Sequence, residues 1–177
     1  MSKRDIWIEC GYEILAEKGH EFITVDELST RMGISRGSFF YHFKNRDGFI
    51  KAMMTKWVED TENIIAGLDY SGTFEECYDK VTNGILCFDV NRELNIRTWG
   101  GSEQIVKDCI VEIDRKRLDS FKNIFAKLPL NEDITNTLAK FRYSLLIGLK
   151  QIDNSISAEE IMCSADLFKE MVISFTD

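Results

Sequence analysis

The chain has 177 residues, 44% of them hydrophobic, one proline and a formal net charge of −8. That balance fits one or two small cores and argues against a disordered or fibrous protein. No charged n-region leads into an apolar h-region and no run of ~18 apolar residues occurs, so neither a secretory leader nor a membrane span is expected and the chain reads as cytoplasmic. Five scattered cysteines without a CxxC pair suggest neither a disulfide framework nor a zinc site; no metal or cofactor is expected.

In chain order the pattern is helical. Residues 4–18 carry Ile6, Cys10 and Ile14 as an inward stripe beside Asp5, Glu9, Glu13 and Glu17, which recur every four residues and line one face. Gly19 reads as a left-handed cap. Thr24-Val25-Asp26-Glu27 reads as a capping box opening a short helix to Met32, closed by Gly33. Ser35 caps the next helix, through about Tyr41, and Asn45 opens a longer one to about Ala66. After a loop at 67–72, Thr73-Phe74-Glu75-Glu76 is a second capping box, starting a helix to about Phe88. One short helix is expected within 89–101. Ser102 caps a long helix to Leu128, stopped by Pro129. Asn131 caps another, with Ile134, Leu138, Phe141, Leu145, Leu149 and Ile152 as its apolar stripe. Ser157-Ala158-Glu159-Glu160 starts the last helix, which carries Ile161, Ala165, Phe168, Val172 and Phe175. The expected fold is all-α, about nine helices: an N-terminal three-helix helix-turn-helix bundle at 1–47 and a second helical domain at 48–177, to which only the family resemblance described below assigns ligand binding and dimerisation.

Net acidity argues at first against nucleic acid, but charge is unevenly spread. Residues 1–50 hold seven cations against eight acids, and no acid lies between Glu27 and Asp47, where Arg31, Arg36, Lys44 and Arg46 fall. A local basic patch on an acidic protein can still bind phosphate. Helix, three-residue turn, helix is also the spacing of a helix-turn-helix.

The segment Gly33-Ile34-Ser35-Arg36-Gly37-Ser38-Phe39-Phe40-Tyr41-His42-Phe43-Lys44-Asn45-Arg46 resembles the recognition-helix signature of the TetR family of repressors, and Gly19 through Leu28 echoes the run that precedes it there. The resemblance covers about residues 4–56. Gly33 permits the turn, and Ile34, Phe39 and Phe43 are expected to pack the recognition helix. Ser35 and the helix N-terminus offer amides to a phosphate. Arg36 can fork onto guanine O6 and N7. Gly37 lets the backbone approach the duplex and Ser38 offers a short polar contact. Tyr41 and His42 would donate to the backbone, Lys44 and Arg46 add charge, and Thr24 could serve a second strand of the groove. Phe40 stands where the family usually has Tyr, which moves that hydroxyl's work toward Tyr41. Taken singly, each residue also has an ordinary reading as core or solvated face; it is the joint order that points to DNA.

The resemblance further implies a homodimer on double-stranded operator DNA, released by an unknown small-molecule effector. The last two helices would pair with their symmetry mates through Phe141, Leu145, Leu149, Ile161, Phe168 and Val172, or else form the core of their own domain. Trp99, Tyr78, Phe88, Phe121, Phe125 and Tyr143 are the expected effector pocket, or again core. Helix 46–66 is expected to be the one long element touching both domains. His20 and His42 are the only histidines and both fall at the DNA-binding end. With no P-loop, Rossmann glycine run or metal-spaced cluster, an enzyme is not expected. The alternatives are a thiol-based redox regulator using Cys77, Cys87 or Cys109, and a pure interaction module built on the bundle helices.

Overall fold

A computed structural model describes residues 2–85, 89–153 and 155–176. Among these residues it contains nine α-helices and no strand: α1 (Lys3–Lys18), α2 (Val25–Met32), α3 (Arg36–Phe43), α4 (Arg46–Ala66), α5 (Phe74–Ile85), α6 (Val90–Gly100), α7 (Gln104–Phe125), α8 (Glu132–Ile152) and α9 (Ala158–Thr176), with a 3-10 turn at His20–Phe22. No helix among them is long and apolar enough to cross a membrane.

Most helix starts follow from side-chain capping of orphan amides. Asn45 Oδ1 accepts from the Gly48 amide at 2.8 Å and Asn131 Oδ1 from Ile134 at 2.9 Å. Thr73 with Glu76, and Ser157 with Glu160, form reciprocal boxes. A further box, Ser2 with Asp5, opens α1. Three expectations need correction. Thr24 accepts from Glu27 N at 3.2 Å, but the Glu27 carboxylate does not answer; it pairs with Lys18 Nζ at 2.6 Å, a full ion pair in place of one amide bond. Ser102 does not cap α7, which begins two residues later; its hydroxyl donates to the Trp99 carbonyl at 3.2 Å and meets His20 Nε2 at 3.1 Å. Gly19 has positive φ but extended ψ (90°, 171°), so it leads into the 3-10 turn and makes no left-handed cap.

The chain forms two compact units: Met1–Asp60 with Val90–Val111, and Thr61–Asp89 with Glu112–Asp177. Both α4 and α7 therefore contribute residues to each unit, so helix 46–66 is not alone in doing so.

The first unit is built around Phe39, wholly buried, whose ring meets Trp7 edge-on at 5.6 Å and lies 5.3 and 5.4 Å from Phe43 and Phe49. Aromatic rings at these spacings bury much apolar area with favourable edge geometry. The inward face of α1 includes Trp7, Ile8, Cys10, Ile14 and Leu15, whereas Ile6 is 42% exposed and drops out of the expected stripe. Nor is the acidic face merely solvated: Glu17 grips Arg31 through two hydrogen bonds (2.5 and 2.7 Å), with Glu13 at 3.5 Å, and Glu9 lies 3.4 Å from Arg92.

The second unit packs α5, α8 and α9 with residues of α7 around Phe74, Tyr78, Val81, Phe121, Phe125, Ala139, Tyr143 and Leu146. On α8 the expected apolar stripe divides, with Leu138 packed on the core and Phe141 and Ile152 facing out. The buried positions are Thr135, Ala139, Arg142, Tyr143 and Leu146.

Candidate nucleic-acid interface

Gly33, at φ 63° and ψ 28°, closes α2 in the left-handed region that only glycine enters without strain, and its amide bonds back to Ser29 and Thr30. The turn delivers α3 with Phe39 and Phe43 inward and Arg36, Gly37, Phe40 and Tyr41 outward; Tyr41 is 85% exposed. Ser38 and His42 are half-buried at the edges. At the far end, a Cβ on Gly48 would sit 2.1 Å from the Phe43 carbonyl, so glycine is what lets α4 start so tightly against α3. Ile34 is 40% exposed and does not join the packing of α3 as expected.

Gly37 differs from Gly33 and Gly48. Its φ is unexceptional, and an added Cβ would meet only Ser35 Oγ at 3.7 Å. Nothing among the described residues demands glycine there. Ser35 occupies the N-cap position, yet its side chain makes no capping bond, so the first-turn amides of α3 face outward uncapped by it. Thr24, exposed at the start of α2, accepts through one lone pair and keeps its proton for another partner.

The cations divide into two groups. Lys44 is exposed and takes positive φ (65°), an uncommon conformation for a side-chain-bearing residue. Arg36 is exposed but paired, its Nε 2.8 Å from Asp26 Oδ1. Arg46 is turned onto the Ile23 carbonyl at 3.0 Å and toward Glu103 at 3.4 Å, and Arg31 is held by Glu13 and Glu17. The basic window of the sequence is thus narrower on the surface than in the text of the chain. Sequence reasoning missed two residues here. Asp26 lies on the preceding helix and only the turn at Gly33 brings it against Arg36, so no spacing rule marked the pair. Arg4, whose guanidinium lies 5.6 Å over the Phe43 ring, had no motif to mark it.

The expected effector residues separate. Phe121 and Tyr143 line a void in the second unit, together with Leu68, Val81, Arg117 and Leu146. It encloses about 20 Å³, room for one water molecule. Tyr78 and Phe125 are core neighbours: the Tyr78 hydroxyl donates to the Ala165 carbonyl at 2.8 Å, and Phe125 packs on Phe74 and Phe168. Trp99 belongs to the first unit, wholly buried with His20 stacked on it at 6.2 Å, and does not line the void. Phe88, like Cys87, lies outside the described residues. Burial pushes the Cys77 thiol up, which disfavours the thiolate a redox sensor needs. Cys109 falls in the first unit, half-buried.

The expected interface residues also divide. Ile161 and Val172 are buried in the chain's own core and Phe168 packs on Phe125. Leu145 and Leu149 are half-buried, and Phe141 is 60% exposed. The outward apolar residues of α9 are Leu167, Met171 and Phe175, each 59–66% exposed.

A short capped helix, a glycine turn and a second helix with its polar face bare make up a helix-turn-helix DNA-binding unit in an all-α protein. Residues 8–53 match the family model described as bacterial regulatory proteins, tetR family, a match confined to the N-terminal part of the chain. It is 29% identical over 63 residues to the uncharacterized HTH-type transcriptional regulator YwcC of Bacillus subtilis (strain 168), an alignment covering 36% of this chain and only 28% of that protein's length. The fold extends much further. A transcriptional regulator from Rhodococcus sp. Rha1 superposes with a TM-score of 0.82 at 14% identity, covering 99% of this chain and 98% of that one. A putative transcriptional regulator from Saccharomonospora viridis, in complex with choline, gives 0.74 at 13% identity over 94% and 95%.

Proposed function

We propose that this protein is a repressor that binds a palindromic operator as a homodimer and lets go when a small molecule enters its second unit. The functional division falls near residue 47, with residues 1–47 carrying DNA contacts and 48–177 carrying effector and partner. The observation that supports the DNA reading most directly is Gly37, a glycine with open space around it on the exposed face of α3. Thr24, Ser35, Arg36, Ser38, Phe40, Tyr41, His42 and Lys44 surround it as the contact set. Arg46 would join only by leaving Ile23 and Glu103. Selection from a random duplex pool tests the reading. Enrichment of an inverted repeat whose half-sites lie about 34–36 Å apart is expected; enrichment without a repeat, or binding that ignores salt, would sink it.

The dimer reading draws on the outward apolar residues of α8 and α9, an unusual feature for a helix pair left bare. Its test uses Leu167 and Met171, which the chain's own core does not need. Leu167→Glu with Met171→Glu should give a folded monomer that no longer binds the operator; an intact dimer in sedimentation would move the interface elsewhere. Effector binding rests on the fold's occurrence with choline in the Saccharomonospora relative. An effector acts only by preferring the DNA-incompetent arrangement, and operator DNA must then weaken effector binding by the same factor.

A further inference from the structure

The second unit buries two guanidinium groups in its apolar core: Arg142 on α8 is 1% exposed and Arg117 on α7 is 7% exposed. Arg117 donates to the Tyr143 hydroxyl at 3.3 Å, which in turn donates to Asp114 at 2.6 Å. Arg142 has poorer company. One terminal nitrogen donates to Thr82 Oγ1 at 3.3 Å, and the group lies 5.2 Å over Phe121 and 5.5 Å over Tyr78, while Nε has no acceptor at all. No carboxylate among the described residues forms an ion pair with it.

A guanidinium cannot shed its proton to escape burial. Enclosed without a counter-ion it is unfavourable, and aromatic faces compensate only in part. Hydrophobic residues would pack α8 at lower cost, so this arginine asks for an anion that the described residues do not supply. The Phe121 ring under Arg142 also lines the water-sized void, next to Arg117 and Ser120.

We propose that this core is an anion site, and that the effector is an apolar carboxylic acid whose carboxylate is taken by Arg142 with Arg117 beside it. The inference rests on the effector-release reading and narrows it. A planar carboxylate matches the two-pronged guanidinium face, and Val81, Ile85 and Leu146 suit an apolar body. They offer none of the extra donors that a multiply charged phosphate would need. The void is too small for such a molecule as it stands, so entry displaces Phe121 and Tyr143. A quaternary ammonium, by contrast, would meet the like charge of Arg142 here.

Benzoate and decanoate, each beside its primary amide, and decyltrimethylammonium are the probes, added to the full chain. Thermal unfolding reads binding, and anisotropy of a labelled duplex selected by the protein reads release. Both acids, or the one that fits, should raise Tm and release DNA, at least about tenfold more effectively than the matching amide. Arg142→Met should remove that preference while leaving the Tm of the unliganded protein unchanged or higher. Equal action of acid and amide, no response to either acid, or a lowered Tm of unliganded Arg142→Met each overturns the anion site; the last would make Arg142 a structural piece. If amides or the ammonium release DNA, the effector reading survives the loss of the anion site. If no compound of any charge alters DNA affinity, the effector reading falls with it.

Discussion

In the first unit Arg31, Arg36, Arg46 and Arg92 each lie against a carboxylate at or near the surface, whereas in the second Arg142 is enclosed between aromatic rings with a threonine hydroxyl for company. The two settings accept anions on different terms. At the surface a phosphate must compete with carboxylates already in place, so affinity there is the sum of many small exchanges and falls steeply with salt. At Arg142 no carboxylate among the described residues pairs with the charge, so on the proposed reading one anion of the right shape would gain a large differential.

The largest effect expected in the first unit is on folding, because its charges do not hold it together. Phe39→Ala should cost about 3–5 kcal/mol by emptying the centre of the aromatic cluster, read as a drop in the unfolding midpoint. A loss under about 1 kcal/mol would mean that Trp7 and Phe49 close over the space. Next comes Arg36→Ala, which should weaken specific DNA binding by about 1–3 kcal/mol and relax preference at one operator position. An equal loss on every sequence would make it a phosphate contact. Gly37→Ala isolates external from internal demand. Stability should hold or rise by about 0.5–1 kcal/mol from better helix propensity, while DNA affinity drops. Unchanged affinity would remove the close approach from the interface. The smallest effect concerns thiols. Cys163 is exposed and should alkylate first, with operator binding unaltered, while Cys10 and Cys77, raised by burial, should react only on unfolding. Loss of DNA binding in step with early alkylation would revive the redox alternative.

The first unit was legible because its signals are local: a capped turn, Gly33, a hydroxyl, a basic residue and three aromatics lie within about a dozen consecutive positions, and short-range chemistry decides their conformation. The inclusion of Trp99 was not legible, since residues 90–111 join helices far away in sequence and nothing near them says so. In the second unit hydrophobic periodicity locates the helices but does not say which apolar residues face inward. The rule that an apolar stripe faces the core picks out Phe141 and Ile152 on α8, which are exposed. It passes over Arg142, the residue that is almost wholly enclosed. A helix with exposed apolar residues outside and one enclosed arginine among its inner residues departs from that rule on both sides. The candidate anion site was invisible for the same reason, since no spacing pattern marks an arginine as internal.

The Arg36–Asp26 pair, at 2.8 Å, also bears on how quickly an operator is found. On the proposed reading, an arginine whose counter-charge sits on the preceding helix would pull only weakly on passing phosphates, so pauses on ordinary sequence would stay brief. Only a partner offering two acceptors in one plane, as a guanine edge does, competes well enough to draw the guanidinium away from Asp26 and prolong the stop. Dwell times of single molecules on duplex lacking the operator give the measure. Asp26→Asn should lengthen them and slow target location, and unchanged dwell times would leave the pair no part in the search.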